Sequence, residues 1–297
     1  MTSPAPRRLG SRAYMLLSTS MFSLSGHFCV QAMDRLGPWT VLLGRFAVPL
    51  ALLGAALGPR LLRALGRPRP VHLLRAAFLV GSQALFLACA RSGGLFVAIV
   101  LYNTGPLFLV GIEAAYRRQA LARGALAWSA LGFAGVWLLH AQAGAPGAAD
   151  LLPGLAAGVF YALSQFTLFL ASAEDRDSTV VAQTFLWCSV LCVAPALYAT
   201  PGRTPDAALA WPLAWLFLGG LCSLGNQWFR AAAYRGAARA STLAPLLYFG
   251  VVVGMALQAL RCGCLPGALE SLGAACIVAA AVGARRGPRA RPGPART

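Results

Sequence analysis

Residues 94–116 read GLFVAIVLYNTGPLFLVGIEAAY, with no base, one acid at Glu113, and a Gly105-Pro106 pair at the centre. At a rise of about 1.5 Å per residue, roughly 20 apolar residues in a helix cross a hydrocarbon core about 30 Å thick. The run is long enough to span, and in lipid its backbone groups are satisfied only if it is helical. Pro106 removes a backbone hydrogen bond from that helix and predicts a kink.

Nine further apolar stretches flank it, at 13–33, 39–58, 71–90, 124–143, 151–173, 179–199, 210–229, 240–260 and 266–284. Of the 297 residues 58% are apolar and only 11% charged, and mean hydropathy is +0.67. A soluble chain of this length needs far more charged surface. The alternating segments of a β-barrel, about 10 residues each, would not give unbroken runs. The sequence therefore predicts an all-α polytopic membrane protein with ten transmembrane helices.

Charge fixes the expected orientation. All 25 basic residues are Arg, and net charge is +17. With a cytoplasmic N-terminus, the inside segments hold Arg7, Arg8 and Arg12; Arg60 to Arg75; Arg117, Arg118 and Arg123; Arg176; Arg230, Arg235 and Arg239; and Arg285 to Arg296. The outer gaps hold Arg35, Arg91, Arg203 and Arg261. Basic loops stay in the cytoplasm, so both termini are placed there. The clusters, Arg75 and Arg230 included, read as topology signal and lipid-headgroup contact. The tail 285–297 lacks the aromatic interleaving of a nucleic-acid binder, so no nucleic-acid partner is expected. The first stretch exceeds a signal-peptide core and reads as a retained helix.

Of eight cysteines, Cys29, Cys89, Cys188, Cys192, Cys222 and Cys276 lie inside apolar runs and read as small hydrophobes. Cys262 and Cys264 share an outer turn, either ordinary or open to oxidation or metal. No cofactor and no metal site is expected.

Shifting the chain on itself by 139 residues pairs Leu24-Ser25 with Leu163-Ser164, Val41 with Val180, and Phe46 with Phe185. It also pairs Gly81 with Gly220, Pro106 with Pro245, and Gly111 with Gly250. The matches keep span boundaries in register across five helices, an odd number, so the second copy enters the membrane from the opposite face. This is the inverted-repeat plan of secondary transporters. The expected organisation is a cytoplasmic tail 1–12, a five-helix repeat 13–143, a second inverted five-helix repeat 151–284, and a basic cytoplasmic tail 285–297.

From about 13 to 284 the chain resembles the EamA-type branch of the drug/metabolite transporter superfamily. The likeness is carried by Arg45-Phe46 in the second helix, the hairpin 88–94 leading into Leu95 to Pro106, the second-half counterpart Ala238 to Pro245, and Gly132 with Gly135 in the fifth helix. The resemblance implies two inverted five-helix repeats in the cell membrane and export of an amino acid, a derivative or a toxic compound. Members often carry an acid at the cytoplasmic ends of the fourth and ninth helices, where this chain has Gln119 and Gln258.

A charge inside a span costs about 2.5 to 3.5 kcal/mol on insertion scales, so each needs a reason. By the stretch boundaries, Arg45, Glu113 and Glu270 lie within spans. Arg45, roughly 9 Å deep, either snorkels outward or clamps a substrate anion; a second-helix Arg in this context recurs in the family. Glu113 either pairs with Arg117 at i, i+4 or couples protons. Glu270 sits near a helix N-terminus, which favours a carboxylate. His27 is either a packing residue or a proton relay. Gln83, Tyr102, Asn103, Trp187 and Tyr248 fall near mid-depth on different helices, either as separate interhelical contacts or together as a substrate cavity. Pro106 and Pro245 are candidate hinges. Gly54-x-x-x-Gly58, Gly154-x-x-x-Gly158 and Gly250-x-x-x-Gly254 predict close helix contacts. No H-E-x-x-H, G-x-S-x-G or P-loop appears, so the chain is not expected to be an enzyme. The expected function is a secondary carrier, monomer or homodimer, whose partners are a small-molecule substrate and the lipid bilayer. A polytopic enzyme acting on a lipid or headgroup, and a non-transporting scaffold, are the alternatives.

Overall fold

A computed structural model of the chain describes residues 9–66, 69–92, 95–139, 148–199, 209–263 and 266–283. Among these the architecture is all-helical: α1 (Ser11–Leu36), α2 (Pro38–Leu57), α3 (Pro59–Leu65), α4 (Pro70–Ser92), α5 (Leu95–Tyr102), α6 (Gly105–Arg117), α7 (Arg123–Leu139), α8 (Ala148–Glu174), α9 (Asp177–Ala199), α10 (Ala210–Arg235), a 3-10 segment (Ala240–Tyr248), α11 (Phe249–Cys262) and α12 (Ala268–Gly283). Six helical runs are long and apolar enough to cross a membrane: Pro38–Leu57, Pro70–Ala90, Val97–Arg117, Leu152–Glu174, Asp177–Ala199 and Ala240–Arg261. Expectations for the tails beyond residues 9 and 283, and for Arg203 and Cys264, fall outside the described residues.

Gly-Pro pairs punctuate the first half. Gly37 (φ +79°) and Gly58 (φ +50°) sit in the left-handed region that a side chain disfavours, and each is followed by a proline that opens the next helix. Gly58 therefore ends α2, and it makes no close contact with another helix. The run 59–65, expected as loop, is the short helix α3, roofed by Gln183 of α9, whose Nε2 donates to the carbonyls of Ala64 and Leu65.

The expected kink at Pro106 is a full interruption. Pro106 stands in the first turn of α6, not inside a continuous helix. The Asn103 side-chain amide donates to the Ile99 carbonyl (2.8 Å) and the Thr104 hydroxyl to that of Leu101 (2.6 Å), each beside the backbone N–H of the same residue, so side chains reinforce the end of α5. In the second half, Pro245 lies within the 3-10 segment, and the α-helix resumes at Phe249.

Helix α8 crosses the first interruption through its glycines. A Cβ at Gly158 would strike the Thr104 hydroxyl and lie 3.0 Å from the Leu101 carbonyl oxygen; one at Gly154 would press on the Leu101 side chain. Gly158→Ala should therefore cost about 1 to 3 kcal/mol, read as a lower melting temperature of the purified protein; an unchanged melting temperature would show that the crossing is loose. Gly135 of α7 and Gly273 of α12 pack equally tightly, a Cβ on either falling 2.6 Å from the other's carbonyl oxygen. Gly250 approaches Thr19 and Ser23 of α1, whereas Gly254 faces open space.

Four pairings organise the bundle: α1 on α10, α4 on α8, α2 on α9 and α7 on α12. Large apolar side chains such as Tyr198 (90% exposed), Trp211 (74%) and Leu260 (82%) face outward, while Arg75, Glu113 and Arg230 are at most 3% exposed. Polar groups inside and apolar ones outside suit a chain whose solvent is lipid.

The Arg-rich segments gather at one end. There Arg69 pairs with Glu174 and Asp175, His72 hydrogen-bonds Asp175 (3.1 Å), and Arg235 bonds Asp177 (2.8 Å) and the Asp175 carbonyl. Arg117 donates to the Ala238 carbonyl (3.1 Å), Gly236 lies against Ser11, and Gly283 against Trp128.

Candidate functional site

The interior holds two helical arginines, Arg75 and Arg230, that the sequence alone reads as members of the basic clusters at the membrane surface. Arg75 lies within α4 and Arg230 within α10, which runs on past the apolar stretch ending at residue 229 to Arg235. Continuing α10 puts Asn226, Gln227, Arg230 and Tyr234 at spacings of three and four, on one buried face.

That face meets α1. Arg230 Nε donates to the Ser18 hydroxyl (2.9 Å), which donates in turn to Asn226 Oδ1 (2.8 Å), so a three-residue chain fixes the guanidinium. One turn along α1, the Phe22 ring lies 5.8 Å from the Arg230 guanidinium carbon and 5.1 Å from that of Arg45, on α2. Both are within cation–π range of one ring. Arg75 donates from Nη2 to Gln227 Oε1 (2.6 Å) and from Nη1 to the Thr184 hydroxyl. Its charge and that of Arg230 repel each other.

None of these arginines meets a carboxylate among the described residues. Buried cations normally carry a paired acid, so the site holds uncompensated positive charge. Tyr102 lies close enough for the charges of Arg45 and Arg230 to act on it, with Tyr161 against it at 4.7 Å between ring centroids. Tyr234 closes the α8 side through Gln165 (3.4 Å).

Of the residues singled out in the sequence, three converge here. Arg45 reaches Phe22, and Gln83 Nε2 donates to the Tyr102 hydroxyl (3.3 Å). Asn103 is spent on the break between α5 and α6. Trp187 donates to Gln183 on its own helix (2.9 Å). Tyr248 packs against Gly132 beside Val136 and Ile277, with its buried hydroxyl unpartnered. His27 touches Phe28 edge-on and lies about 140° around α1 from Phe22. Glu113 bonds Arg117 (3.0 Å) and accepts from the backbone N–H groups of Ala240 (3.0 Å) and Ser241 (2.8 Å), capping the interrupted ninth stretch. Gln119 accepts from Arg239 (3.0 Å), and Glu270 from the Gly267 N–H (2.8 Å) ahead of α12. The described residues contain no His, Cys, Asp and Glu grouping able to hold a metal ion.

Neither a family model nor a curated protein matches the chain. Solved structures do: 28 chains match. One of them, a crystal structure of a protein, superposes with a TM-score of 0.77 over 93% of this chain and 97% of its own, at 19% identity. At that identity the likeness shows the fold alone.

Proposed function

We propose that the chain is a ten-span secondary carrier of the EamA type, built from two inverted five-helix repeats, that moves a small metabolite across the cytoplasmic membrane by alternating access. The observation that carries this reading is a cluster of interior arginines with no carboxylate partner among the described residues, in a bundle whose fourth and ninth stretches are both interrupted. Interrupted helices at corresponding positions of two halves are where secondary transporters place their substrate.

The packing supports the inverted repeat. Under the shift of 139 residues α1 corresponds to α8 and α4 to α10, so the α1–α10 and α4–α8 pairings are one pairing seen twice. Helices α2 and α9 are mates that pack on each other, as are α7 and α12. Phe46 and Phe185, mates in sequence, lie 6.5 Å apart between ring centroids, as residues near a pseudo-twofold axis do.

In this reading the Arg-rich end is cytoplasmic, its ion pairs form the closed gate, and Pro106 and Pro245 keep the two interruptions able to hinge. Export of an amino acid, a derivative or a toxic compound is the direction that the family resemblance favours.

The test is flux. Purified protein in liposomes loaded with labelled amino acids and organic acids should release at least one of them saturably. Release at the protein-free rate for the whole panel would overturn the carrier, and conversion of a labelled phospholipid would point to the enzyme alternative.

A further inference from the structure

The arginine site carries more charge than a monoanion can neutralise. Arg230 is 3% exposed, and its one hydrogen bond uses Nε. Neither of its Nη groups has an acceptor among the described residues. Arg45 is half-buried and makes its contact with the face of Phe22. The two guanidinium carbons thus share one aromatic neighbour, lying 5.1 and 5.8 Å from the Phe22 centroid.

The acids whose side chains are described are committed elsewhere. Glu174, Asp175 and Asp177 serve Arg69, His72 and Arg235 at the Arg-rich end. Glu113 is taken by Arg117 and two backbone N–H groups, and Glu270 caps α12. Arg75 spends both Nη groups on neutral acceptors and adds repulsion, not compensation. Among the described residues no acid neutralises Arg45 or Arg230, which leaves that role to a ligand carrying one anionic group for each guanidinium fork.

We infer that the ligand of this site is a small dianion, two carboxylates or a phosphate monoester, bridging Arg45 and Arg230 above Phe22. The inference rests on the reading of the site as a carrier's substrate site, and it names the class of substrate. A free metabolite and the headgroup of phosphatidic acid share this chemistry, and the competition arm below separates them.

The probes are succinate, methyl phosphate at pH 8 and butyrate, titrated at constant ionic strength against the purified full-length protein, with melting temperature and calorimetry as readouts. Both dianions should bind roughly tenfold or more tighter than butyrate, because each adds a second charge-assisted contact. Arg45→Gln and Arg230→Gln should each bring the dianions down to the butyrate level. Arg45 makes no hydrogen bond among the described residues, so R45Q keeps the test valid if R230Q misfolds. Equal affinity for succinate and butyrate, or wild-type dianion affinity in R45Q, overturns the inference. Displacement of succinate by methyl phosphate supports a free metabolite; displacement by phosphatidic acid alone supports a lipid dianion in the same site. Flux in liposomes separates this claim from the carrier. Dianion binding without flux of any solute ends the carrier and leaves the site. Saturable flux of a neutral solute, unchanged in R45Q, ends the dianion and leaves the carrier.

Discussion

Glu113→Ala should lower the stability of the purified protein by about 2 to 4 kcal/mol, a loss visible as a melting temperature several degrees below wild type. The carboxylate is 2% exposed and joins three donors from two parts of the chain: Arg117 on its own helix, and the Ala240 and Ser241 N–H groups of the 3-10 segment. Its removal leaves those N–H groups buried without an acceptor, at about 1 to 3 kcal/mol each, less whatever local relaxation recovers. The Arg117 side chain, 32% exposed, still reaches the Ala238 carbonyl, so its loss adds little. Glu113→Gln keeps the shape and one good acceptor and should fall between the two. A coupling acid would behave differently: the Gln variant would melt like wild type while transport lost its dependence on pH. Melting curves and flux at two pH values on the same preparations distinguish a staple between α6 and the ninth stretch from a proton carrier.

The helical skeleton was legible because lipid leaves the backbone one economical choice: each apolar stretch carries helix among the described residues, and six of the helical runs are long and apolar enough to cross a membrane. Details escaped where a local signal outweighed hydropathy. The Gly58-Pro59 pair ends one helix and opens another inside what looked like a basic loop, and the Asn103-Thr104 side chains finish α5 before Pro106 can act as a mere kink. Arg45 stands out in the sequence, whereas Arg75, five residues into the stretch 71–90, and Arg230, just past the stretch ending at residue 229, read as part of the basic ends. Hydropathy windows end a span at its last apolar residue, so an arginine one step past residue 229 counts as loop. The signal that finds Arg230 is periodicity: Asn226, Gln227, Arg230 and Tyr234 form a polar stripe at helical spacing, which a cytoplasmic loop has no reason to keep. Rotation about each helix axis was not legible. Gln83 and Tyr102 met, whereas Tyr248 turned to α7 and His27 to the far face of α1, and only packing decides between such outcomes.

Arg45→Ala should reduce transport by about a hundredfold or more while leaving membrane insertion and melting temperature close to wild type. The two effects separate because, among the described residues, the polar contact of Arg45 is with the Phe22 ring, 5.1 Å from its centroid. An exposed-site cation–π contact is worth about 0.5 to 1 kcal/mol, and losing it is offset by removal of an unpaired charge from the bundle. Toward an anionic substrate the same side chain offers two parallel charge-assisted hydrogen bonds of roughly 1.5 to 3 kcal/mol each. Arg45→Lys is the sharper variant. It preserves the charge and its attraction to Phe22 but replaces the planar fork with a single ammonium, so flux should fall about tenfold, between wild type and Ala. A side chain that merely snorkels toward headgroups would give the opposite ranking, with Lys fully active and Ala nearly so, because an ammonium snorkels as well as a guanidinium. Initial flux rates for wild type, R45K and R45A at matched reconstitution decide it, and full activity in R45A would remove Arg45 from the site and leave Arg230 as its one open guanidinium.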